Sequence, residues 1–522
     1  MRDIPFVLAT MARRGLLRPG PPLRVARQLG ALWTWGYGLA GELRSAAARN
    51  PKALAVVDEH VELTYGELLA RSERLARGLR GRHGVHPGDR VGLLARNHAG
   101  MIQGMVAVTM LGADVVLANT GLSAPRLAAV AEEQRLRALI HDGEFTDVVA
   151  DVPGSVQRLT ESDVEHLIAT APDGELSPPE RDGRTIVLTS GTTGAPKGAR
   201  RPTPAGLGPL MAIISRIPLR ARERVFIAAP LFHTWGYAAL QVCLGLRATI
   251  VLRRRFDAAA TLRDIARHRC TALFAVPVML QRLLEVPHGP TRLRVVAVSG
   301  SALPGGLATR FMDAYGDVLY NLYGSTEASW ASIATPAELR RAPATAGRPP
   351  HGTRVAILDA EGRPVPTGET GRIFVGNEML FEGYTSGATR PMHDGLLATG
   401  DLGHVDSSGL LYVDGREDDM IISGGENVFP ADVEDLLAAL PQVREVAVVG
   451  VPDEEFGQRL AAYIVLKPGE RLDADAVREY VRANRARFCV PRDVVFLDEL
   501  PRNATGKVVP RDLPHVHRSE SG

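Results

Sequence analysis

The sequence TIVLTSGTTGAPKG, from Thr185 to Gly198, decides how the rest of the chain is interpreted. Its first four residues are branched or aliphatic side chains suited to a buried strand, and the hydroxyls and glycines that follow favour a tight turn. Glycines let backbone N–H groups converge on an anion, and Lys197 adds a compact positive charge. The stretch therefore predicts a loop that holds phosphate groups.

This loop differs from the P-loop pattern GxxxxGK[ST]. Counted from Gly191, Pro196 stands where that pattern needs its second glycine, and Gly198 stands where it needs the hydroxyl that binds magnesium. A metal ligand is therefore expected elsewhere in the chain. A solvated surface loop is the alternative interpretation, because serine, threonine and glycine also cluster between secondary-structure elements that have no binding role.

The loop resembles the signature of the adenylate-forming enzymes, which include acyl-CoA synthetases, aryl-CoA ligases, luciferases and the adenylation domains of peptide synthetases. The resemblance runs from about Asn50 to the end of the chain, with the motifs in the family's order, and it is closest to bacterial fatty acyl-CoA synthetases. It implies that the protein uses ATP and Mg²⁺, with coenzyme A as co-substrate. The phosphate-loop residues that it implies for ATP binding are Thr189, Ser190, Gly191, Thr192, Thr193 and Gly194.

The composition indicates more than one domain. A chain of 522 residues is too long for one ordinary core. Its formal net charge of +2 gives no bias toward a polyanion, so nucleic acid is not an expected partner. The three cysteines are far apart and form no disulfide or zinc spacing, which fits a cytoplasmic location.

Residues 1–45 form a basic N-terminal arm, in which arginines at 2, 13, 14, 18, 24 and 27 alternate with apolar patches. Two interpretations stay open. The favoured one is a helical arm that packs on its own protein. The other is an amphipathic segment that lies on an anionic membrane surface and makes the protein membrane-peripheral.

From Ala53 onward, short apolar strands alternate with segments of helical spacing, which predicts a mostly parallel sheet with helices on both faces. The pattern changes at Gly415–Asp419, and the remaining hundred or so residues are enough for a small α+β domain. The predicted fold class is α/β, with a large N-terminal body of mostly parallel sheets flanked by helices and a small mobile α+β C-terminal lid. The predicted boundaries are residues 1–45 for the arm, 46–416 for the AMP-binding body and 417–522 for the lid.

A second motif, NLYGSTE from Asn321 to Glu327, follows a predicted strand at Val318–Tyr320. A carboxylate beside a Gly-Ser-Thr turn can hold a hard cation, although a simple capping turn is the alternative. The family resemblance places the metal on Glu327, a phosphate on Thr326 and the adenine beside this motif and the segment SGSALP at 299–304. The ATP-binding residues implied here are Ser301, Ala302, Asn321, Tyr323, Gly324, Ser325 and Thr326.

A third motif, Thr399-Gly400-Asp401, is predicted at a turn after a strand and is followed by Gly415-Arg416. An aspartate can accept hydrogen bonds from both ribose hydroxyls, and an arginine can complete that contact. Either residue alone is more often a member of a surface ion pair. The resemblance assigns the ribose to Asp401 and Arg416, and it assigns the hinge of the lid to Asp418.

The resemblance assigns further roles to segments that are weak signals by themselves. It places Lys507, in the segment PRNATGK, as the mobile catalytic lysine, so that the implied catalytic set is Lys197, Thr326, Glu327 and Lys507. It implies contact with coenzyme A at Ser423, Gly424 and Gly425, and an acyl pocket at His233, Trp235, Val298 and Gly300. One departure is Phe488-Cys489, where the family commonly has Tyr-Lys, and the missing positive charge weakens the case for coenzyme A as acceptor.

The predicted reaction is the ATP-dependent conversion of a carboxylic acid, expected to be a medium or long-chain fatty acid, into an acyl adenylate with release of pyrophosphate, followed by transfer to coenzyme A. One alternative is an enzyme of secondary metabolism that activates an aromatic or small unusual acid, or a small oxyanion, and passes it to a carrier protein, an amine or another nucleophile. The other alternative is a nucleotide-gated binding protein, which has no need of a mobile lysine.

Overall fold

The computed structural model describes residues 3–189, 197–304, 306–423, 426–453 and 457–514. The predicted site residues Ser190, Gly191, Thr192, Thr193, Gly194, Gly424 and Gly425 lie outside these ranges. The helices of the described part are α1 (Ile4–Arg13), α2 (Pro22–Trp35), α3 (Leu39–Arg49), α4 (Tyr65–His83), α5 (Ala99–Met110), α6 (Ala124–Glu133), α7 (Thr146–Val149), α8 (Glu161–Thr170), α9 (Gly208–Arg216), α10 (Thr234–Gly245), α11 (Ala258–Arg267), α12 (Pro277–Leu284), α13 (Leu307–Tyr315), α14 (Pro336–Arg341), α15 (Pro430–Ala438) and α16 (Ala474–Asn484).

The strands belong to four sheets. In chain order they are β1 (Leu54–Val57), β2 (Glu62–Thr64), β3 (Arg90–Leu94), β4 (Asp114–Leu117), β5 (Ala138–His141), β6 (Gln157–Thr160), β7 (Thr185–Thr189), β8 (Lys197–Arg201), β9 (Arg224–Ile227), β10 (Thr249–Val251), β11 (Ala272–Ala275), β12 (Val295–Val298), β13 (Leu319–Tyr323), β14 (Ser332–Ala334), β15 (Arg354–Leu358), β16 (Gly371–Gly376), β17 (Met392–His393), β18 (Leu396–Val405), β19 (Leu411–Arg416), β20 (Ile421–Ser423), β21 (Glu426–Val428), β22 (Val443–Asp453), β23 (Gly457–Leu466) and β24 (Asp493–Leu497).

Two mostly parallel sheets build the centre of the body. The first has the order β6-β5-β3-β4-β7-β8 and is parallel except for β8, and the second has the order β14-β13-β12-β11-β9-β10-β1-β2 and is parallel except for its edge strands. Central strands such as β11 and β12 are apolar and buried along their whole length, as is typical of a parallel sheet that helices cover on both faces. The predicted α/β class is therefore confirmed.

A third sheet, which the sequence did not predict, is antiparallel and contains β15 to β19. It corrects the placement of two motifs. Thr399-Gly400-Asp401 lies inside β18 rather than at a turn after a strand, and its turn-like composition comes from Gly400, whose φ of +80° disfavours other residues. Asn321–Tyr323 belongs to β13, because that strand continues to pair with β14.

The C-terminal residues form a small α+β domain with its own sheet. Its sheet has the order β21-β20-β23-β22, and β24 lies parallel to β23. Helices α15 and α16 pack on this sheet through the buried side chains of Val433, Leu437, Val477 and Val481. The buried Val477 and Val481 of α16 are four residues apart, which is the spacing of one face of a helix.

The N-terminal arm is helical and contacts the body. Phe6 of α1 stacks on His351 with ring centroids 3.8 Å apart, and the Arg14 guanidinium donates to the carbonyl of Ile214 at 2.9 Å. Helix α2 lies against α3, where Arg44 sits 3.8 Å from the centre of the Trp35 ring. Within the described residues, no helix has the length and apolar character needed to span a membrane.

Candidate active site

The base of the phosphate loop is an antiparallel hairpin. Thr189 at the end of β7 lies opposite Lys197 at the start of β8, and the Thr189 hydroxyl donates to the Lys197 carbonyl at 3.1 Å. The ammonium nitrogen of Lys197 lies 5.7 Å from the centre of the Tyr384 ring. The hairpin thus carries the lysine at the end where β7 connects to β8, with its ammonium group toward Tyr384.

Glu327 is a buried carboxylate in the turn after β13, with 6% of its surface exposed. The Tyr384 hydroxyl donates to its Oε1 at 2.7 Å, and the Nε of Arg390 is 3.8 Å from the same oxygen. Burial and the bond to Glu327 raise the pKa of Tyr384 to about 12, so that this hydroxyl keeps its proton. Among the described residues no hydrogen bond or ion pair reaches Oε2, so the carboxylate keeps an oxygen that can bind a hard divalent cation.

Arg201 connects the hairpin to the turn that carries Thr326 and Glu327. Its guanidinium is buried and donates to the Thr326 carbonyl at 2.5 Å and to the Ser329 hydroxyl at 2.7 Å. Burial lowers the pKa of Arg201 to about 10, and the Tyr237 and Glu327 side chains act in the opposite direction. Arg201 is therefore charged at neutral pH and holds the turn in place by charge-assisted hydrogen bonds.

Asp401 and Arg416 face each other on paired strands. They are register partners of β18 and β19, with 3.7 Å between Asp401 Oδ1 and Arg416 Nη1. The Tyr323 hydroxyl donates to Asp401 Oδ2 at 2.6 Å, which links the second and third motifs. Burial raises the pKa of Asp401, while the Tyr323 bond and Arg416 oppose that rise.

Asn321 and the segment after β12 lie on the same side of the body. Asn321 is the register partner of Val298, and its Oδ1 is buried without a hydrogen-bond donor from the described residues. A buried amide oxygen in this condition is an available acceptor. Ser301 and Ala302 are exposed in the loop after β12, Gly324 is partly buried, and the Ser325 hydroxyl accepts from the Ala328 N–H at 3.0 Å.

Lys507 comes to these residues from the lid. A turn closed by the Lys507 N–H to Asn503 Oδ1 (3.0 Å) and the Asn503 N–H to the Lys507 carbonyl (2.9 Å) presents the side chain. Gly506 in that turn has a φ of +85°, and a Cβ there would lie 2.7 Å from Val278 of α12, so the turn tip sits directly on the body. Glycine alone meets both constraints.

The electrostatic surroundings of Lys507 come from three motifs. Burial lowers its pKa, as does Arg416, whereas the carboxylates of Asp401 and Glu327 raise it. Lys507 is exposed to solvent, yet these charged groups lie near enough to shift its pKa, as is typical of a side chain at an open cleft. The structure thus brings Lys507, Asp401, Arg416 and Glu327 together, as the motifs require.

Two family descriptions match the chain. Residues 43–385 match the AMP-binding enzyme domain, and residues 432–507 match the AMP-binding enzyme C-terminal domain. This chain belongs to the AMP-binding enzyme family.

Relatives of this AMP-binding enzyme include a feruloyl-CoA synthase from Amycolatopsis sp, 35% identical over 476 residues that cover 89% of the chain and 96% of the relative. An indoleacetate–CoA ligase from Aromatoleum aromaticum is 34% identical, over 90% of this chain and 96% of that ligase. The structure of o-succinylbenzoate CoA synthetase from Bacillus subtilis with its acyl-adenylate intermediate superposes with a TM-score of 0.82 at 30% identity, covering 92% of this chain and 99% of that one. The structure of a Mycobacterium tuberculosis fatty acyl CoA synthetase superposes with a TM-score of 0.71 at 28% identity, covering 91% of this chain and 97% of that one.

These matches confirm the prediction of an AMP-forming acid–CoA ligase that uses ATP, Mg²⁺ and coenzyme A. The alternative of a non-enzymatic nucleotide-gated binder is not supported. The two curated relatives named above are ligases of aromatic acids, so the comparisons favour the aromatic or small acid over the fatty acid that was expected.

The segment predicted as the acyl pocket of this AMP-binding enzyme starts beside the ATP motifs. The Thr234 hydroxyl is 2.9 Å from that of Thr326. Burial of the preceding residue, His233, lowers its pKa to about 4, and the Lys507 cation acts in the same direction. His233 is therefore neutral at pH 7. Trp235 lies deeper: it is 5% exposed, and its indole N–H donates to the Ala275 carbonyl at 3.0 Å.

The remaining pocket residues lie at the end of β12. Val298 is fully buried as the last residue of that strand, and Gly300 follows with a φ of +105°. Trp235 also contacts Phe274, with ring centroids 5.1 Å apart and planes inclined by 48°. Trp235 and Val298 therefore occupy fixed positions in the core of the body.

The lid residues expected near coenzyme A are partly described. Ser423 ends β20 and pairs with Gly457, while Gly424 and Gly425 lie outside the described residues. Cys489 is buried in the lid core, and Arg485 and Arg487 are exposed next to it. Positive charge is thus present beside the position where the family commonly has a lysine.

A bidentate ion pair joins the lid to the body in this arrangement. Arg444 of β22 donates to the two carboxylate oxygens of Glu285, after α12, at 2.8 and 2.9 Å. Arg444→Gln is expected to slow adenylation by up to about fivefold, since exposed pairs contribute roughly 0.2–1 kcal/mol. Pyrophosphate release measures this rate. Arg478→Gln, which breaks an ion pair within the lid, is the matched control, and equal rates for both variants would contradict a docking role for Arg444.

Proposed function

We propose that this enzyme activates an aromatic or other compact carboxylic acid and transfers it to coenzyme A. The proposal rests on the position of Trp235. The residue before it, Thr234, is in hydrogen-bond contact with Thr326, and the Trp235 indole N–H donates to the Ala275 carbonyl. Because the Trp235 indole is buried and held next to the residue that contacts Thr326, we expect it to limit the length of the acyl group that the enzyme accepts. The aromatic acids named for the relatives support the same conclusion.

In the first half-reaction the acid's carboxylate attacks the α-phosphorus of ATP, and pyrophosphate leaves. Lys197 and the hydroxyls of its loop would hold the departing phosphates, and Lys507 would bridge the carboxylate and the α-phosphate. Such a reaction depends mainly on positioning and on stabilising developing charge. Mg²⁺ held by Glu327 would neutralise phosphate charge.

The nucleotide would be held by residues of β13, β18 and β19. Asp401 would accept from the ribose hydroxyls with Arg416 beside it, and the free Asn321 Oδ1 would accept from the adenine amino group. Tyr323 joins the two regions through its bond to Asp401. These roles follow from the acceptor atoms of Asp401 and Asn321, which can bind further donors.

In the second half-reaction the lid would turn about Asp418 and bring the thiol of coenzyme A to the adenylate. Asp418 suits a hinge because its side chain is exposed in the short turn between β19 and β20. Ser423 and the two glycines after it would then lie near the pantetheine. The exposed Arg485 and Arg487 supply the positive charge that an anionic acceptor needs.

A panel of acids tests the substrate class. With benzoate, cinnamate, indoleacetate, acetate, octanoate and palmitate, we expect an aromatic acid to have a kcat/KM about tenfold or more above that of octanoate, because a short pocket forfeits the roughly 0.8 kcal/mol per methylene that a tunnel supplies. Pyrophosphate release with and without coenzyme A measures both half-reactions.

The matched variant is Trp235→Leu, which keeps an apolar side chain but removes the indole. It should move the optimum toward longer acids. A kcat/KM that rises about fourfold per carbon up to palmitate in the unmodified enzyme would overturn the aromatic-acid proposal and restore the fatty acid. Turnover that needs an amine instead of coenzyme A would overturn only the acceptor.

A further inference from the structure

Helix α2 has one side against the protein and the opposite side in solvent. Val25, Gln28, Leu32 and Trp35 are partly covered on the inner side. Arg44 of α3 lies over the Trp35 ring and fixes that side. With 3.6 residues per turn, Leu23 and Trp33 lie away from this covered side, and Leu29 lies at its edge.

The exposed part of α2 carries large apolar side chains, whereas a surface helix normally exposes polar and charged residues. Leu23 is 62% exposed, Leu29 is 61% exposed and Trp33 is 92% exposed. Six of the ten large hydrophobic side chains exposed in the described part of the chain lie between residues 4 and 33. Exposed apolar side chains are thus concentrated in the arm, which indicates an interaction surface.

The charge around this surface has one sign. Arg13, Arg18, Arg24 and Arg27 are exposed, and the sequence has no aspartate or glutamate between residues 4 and 41. Two copies of the arm placed face to face would bring these arginines together without any acidic partner in the segment. An anionic surface complements the same charges.

We propose that α2 and the segment before it bind the surface of a membrane that contains anionic phospholipid. Leu23, Leu29 and Trp33 would enter the boundary between headgroups and acyl chains, and Arg24 and Arg27 would contact the lipid phosphates. The helix would lie in the plane of the surface with Trp35 still against α3. This surface is separate from the adenylation site, so the proposal stands independently of the acid that is activated.

Sedimentation with vesicles tests the proposal on the full chain. The protein should sediment with vesicles of equal parts phosphatidylcholine and phosphatidylglycerol, bind pure phosphatidylcholine more weakly, and dissociate as salt is raised. The double variant Leu29→Ser/Trp33→Ser should bind about tenfold or more weakly, since it loses most of the buried apolar area. Met392→Ser, which removes a side chain that is 52% exposed on the body, is the matched control and should bind like the unmodified protein.

Tryptophan fluorescence gives an independent measurement. Trp33 is the most exposed of the four tryptophans, so mixed vesicles should shift the emission to shorter wavelength. Trp33→Phe should still bind but lose that shift. Ligase activity without vesicles should be the same in all these variants, because none of the changed residues is among those assigned to the ATP site.

Two results would overturn the proposal. One is sedimentation of the unmodified protein that mixed vesicles do not increase, or that the double variant retains in full. The other is a molecular mass by light scattering that is twice that of one chain and returns to one chain in Leu29→Ser/Trp33→Ser. That second result would show that another copy of the chain covers the apolar side of α2.

Discussion

Replacing Lys507 by alanine is expected to lower the rate of adenylation by about a thousandfold, and to leave thioester formation from preformed acyl adenylate near the unmodified rate. A cation about 4 Å from a developing charge contributes on the order of 4 kcal/mol at an effective dielectric constant near 20, which corresponds to that factor. With the lid docked as in this structure, the carboxylates of Asp401 and Glu327 act on the charge of Lys507, and we expect rotation of the lid to take Lys507 away from them. Its charge therefore acts in one half-reaction.

Each half-reaction has its own measurement. Pyrophosphate release reports adenylation, and consumption of a synthetic acyl adenylate in the presence of coenzyme A reports thioester formation. Lys467→Ala is the matched control, because it removes another lysine of the lid at a position away from the site. Equal losses in the two half-reactions of Lys507→Ala would show that the lysine supports the structure of the lid and not the chemistry.

Glu327→Gln is expected to lower adenylation by about a hundredfold, with part of the loss recovered at high Mg²⁺ concentration. The substitution keeps a side-chain oxygen that can accept from Tyr384, but it removes the negative charge from a buried position. Even partners outside the direct coordination of a metal contribute about 10–100-fold to affinity or activity. Loss of a charged ligand should reach at least the upper end of that range.

Tyr384→Phe tests the orientation of the Glu327 carboxylate while leaving its charge unchanged. It removes only the hydroxyl that holds Oε1, and a hydrogen bond to a charged group contributes roughly 1.5–3 kcal/mol, so a loss of about tenfold or more is expected. Titration of adenylation with Mg²⁺ distinguishes the two variants. If Glu327→Gln had the same dependence on Mg²⁺ as the unmodified enzyme, Glu327 would not be the metal ligand.

The sequence predicted the parallel sheets and the lid helices better than the antiparallel sheet. Strands such as β11 and β12 are covered on both faces, so their apolar runs are visible in the sequence. Helix α16 is visible because its apolar spacing has the helical period. Strand β18 was not predicted, because only alternate residues of it are buried and the glycine at position 400 is typical of a turn.

The sequence by itself determined the family and predicted the residues of the ATP site and their order, because contacts to phosphate, ribose and metal need particular side chains at short spacing along the chain. Tertiary structure alone decided the roles of Arg201, Tyr384 and Arg390, which hold the motif residues through partners far away in the chain. It also decided that Trp235 is fixed in the core and that Lys507 lies beside Asp401. Such contacts depend on how separate sheets and the lid pack together, and local sequence carries no record of that packing.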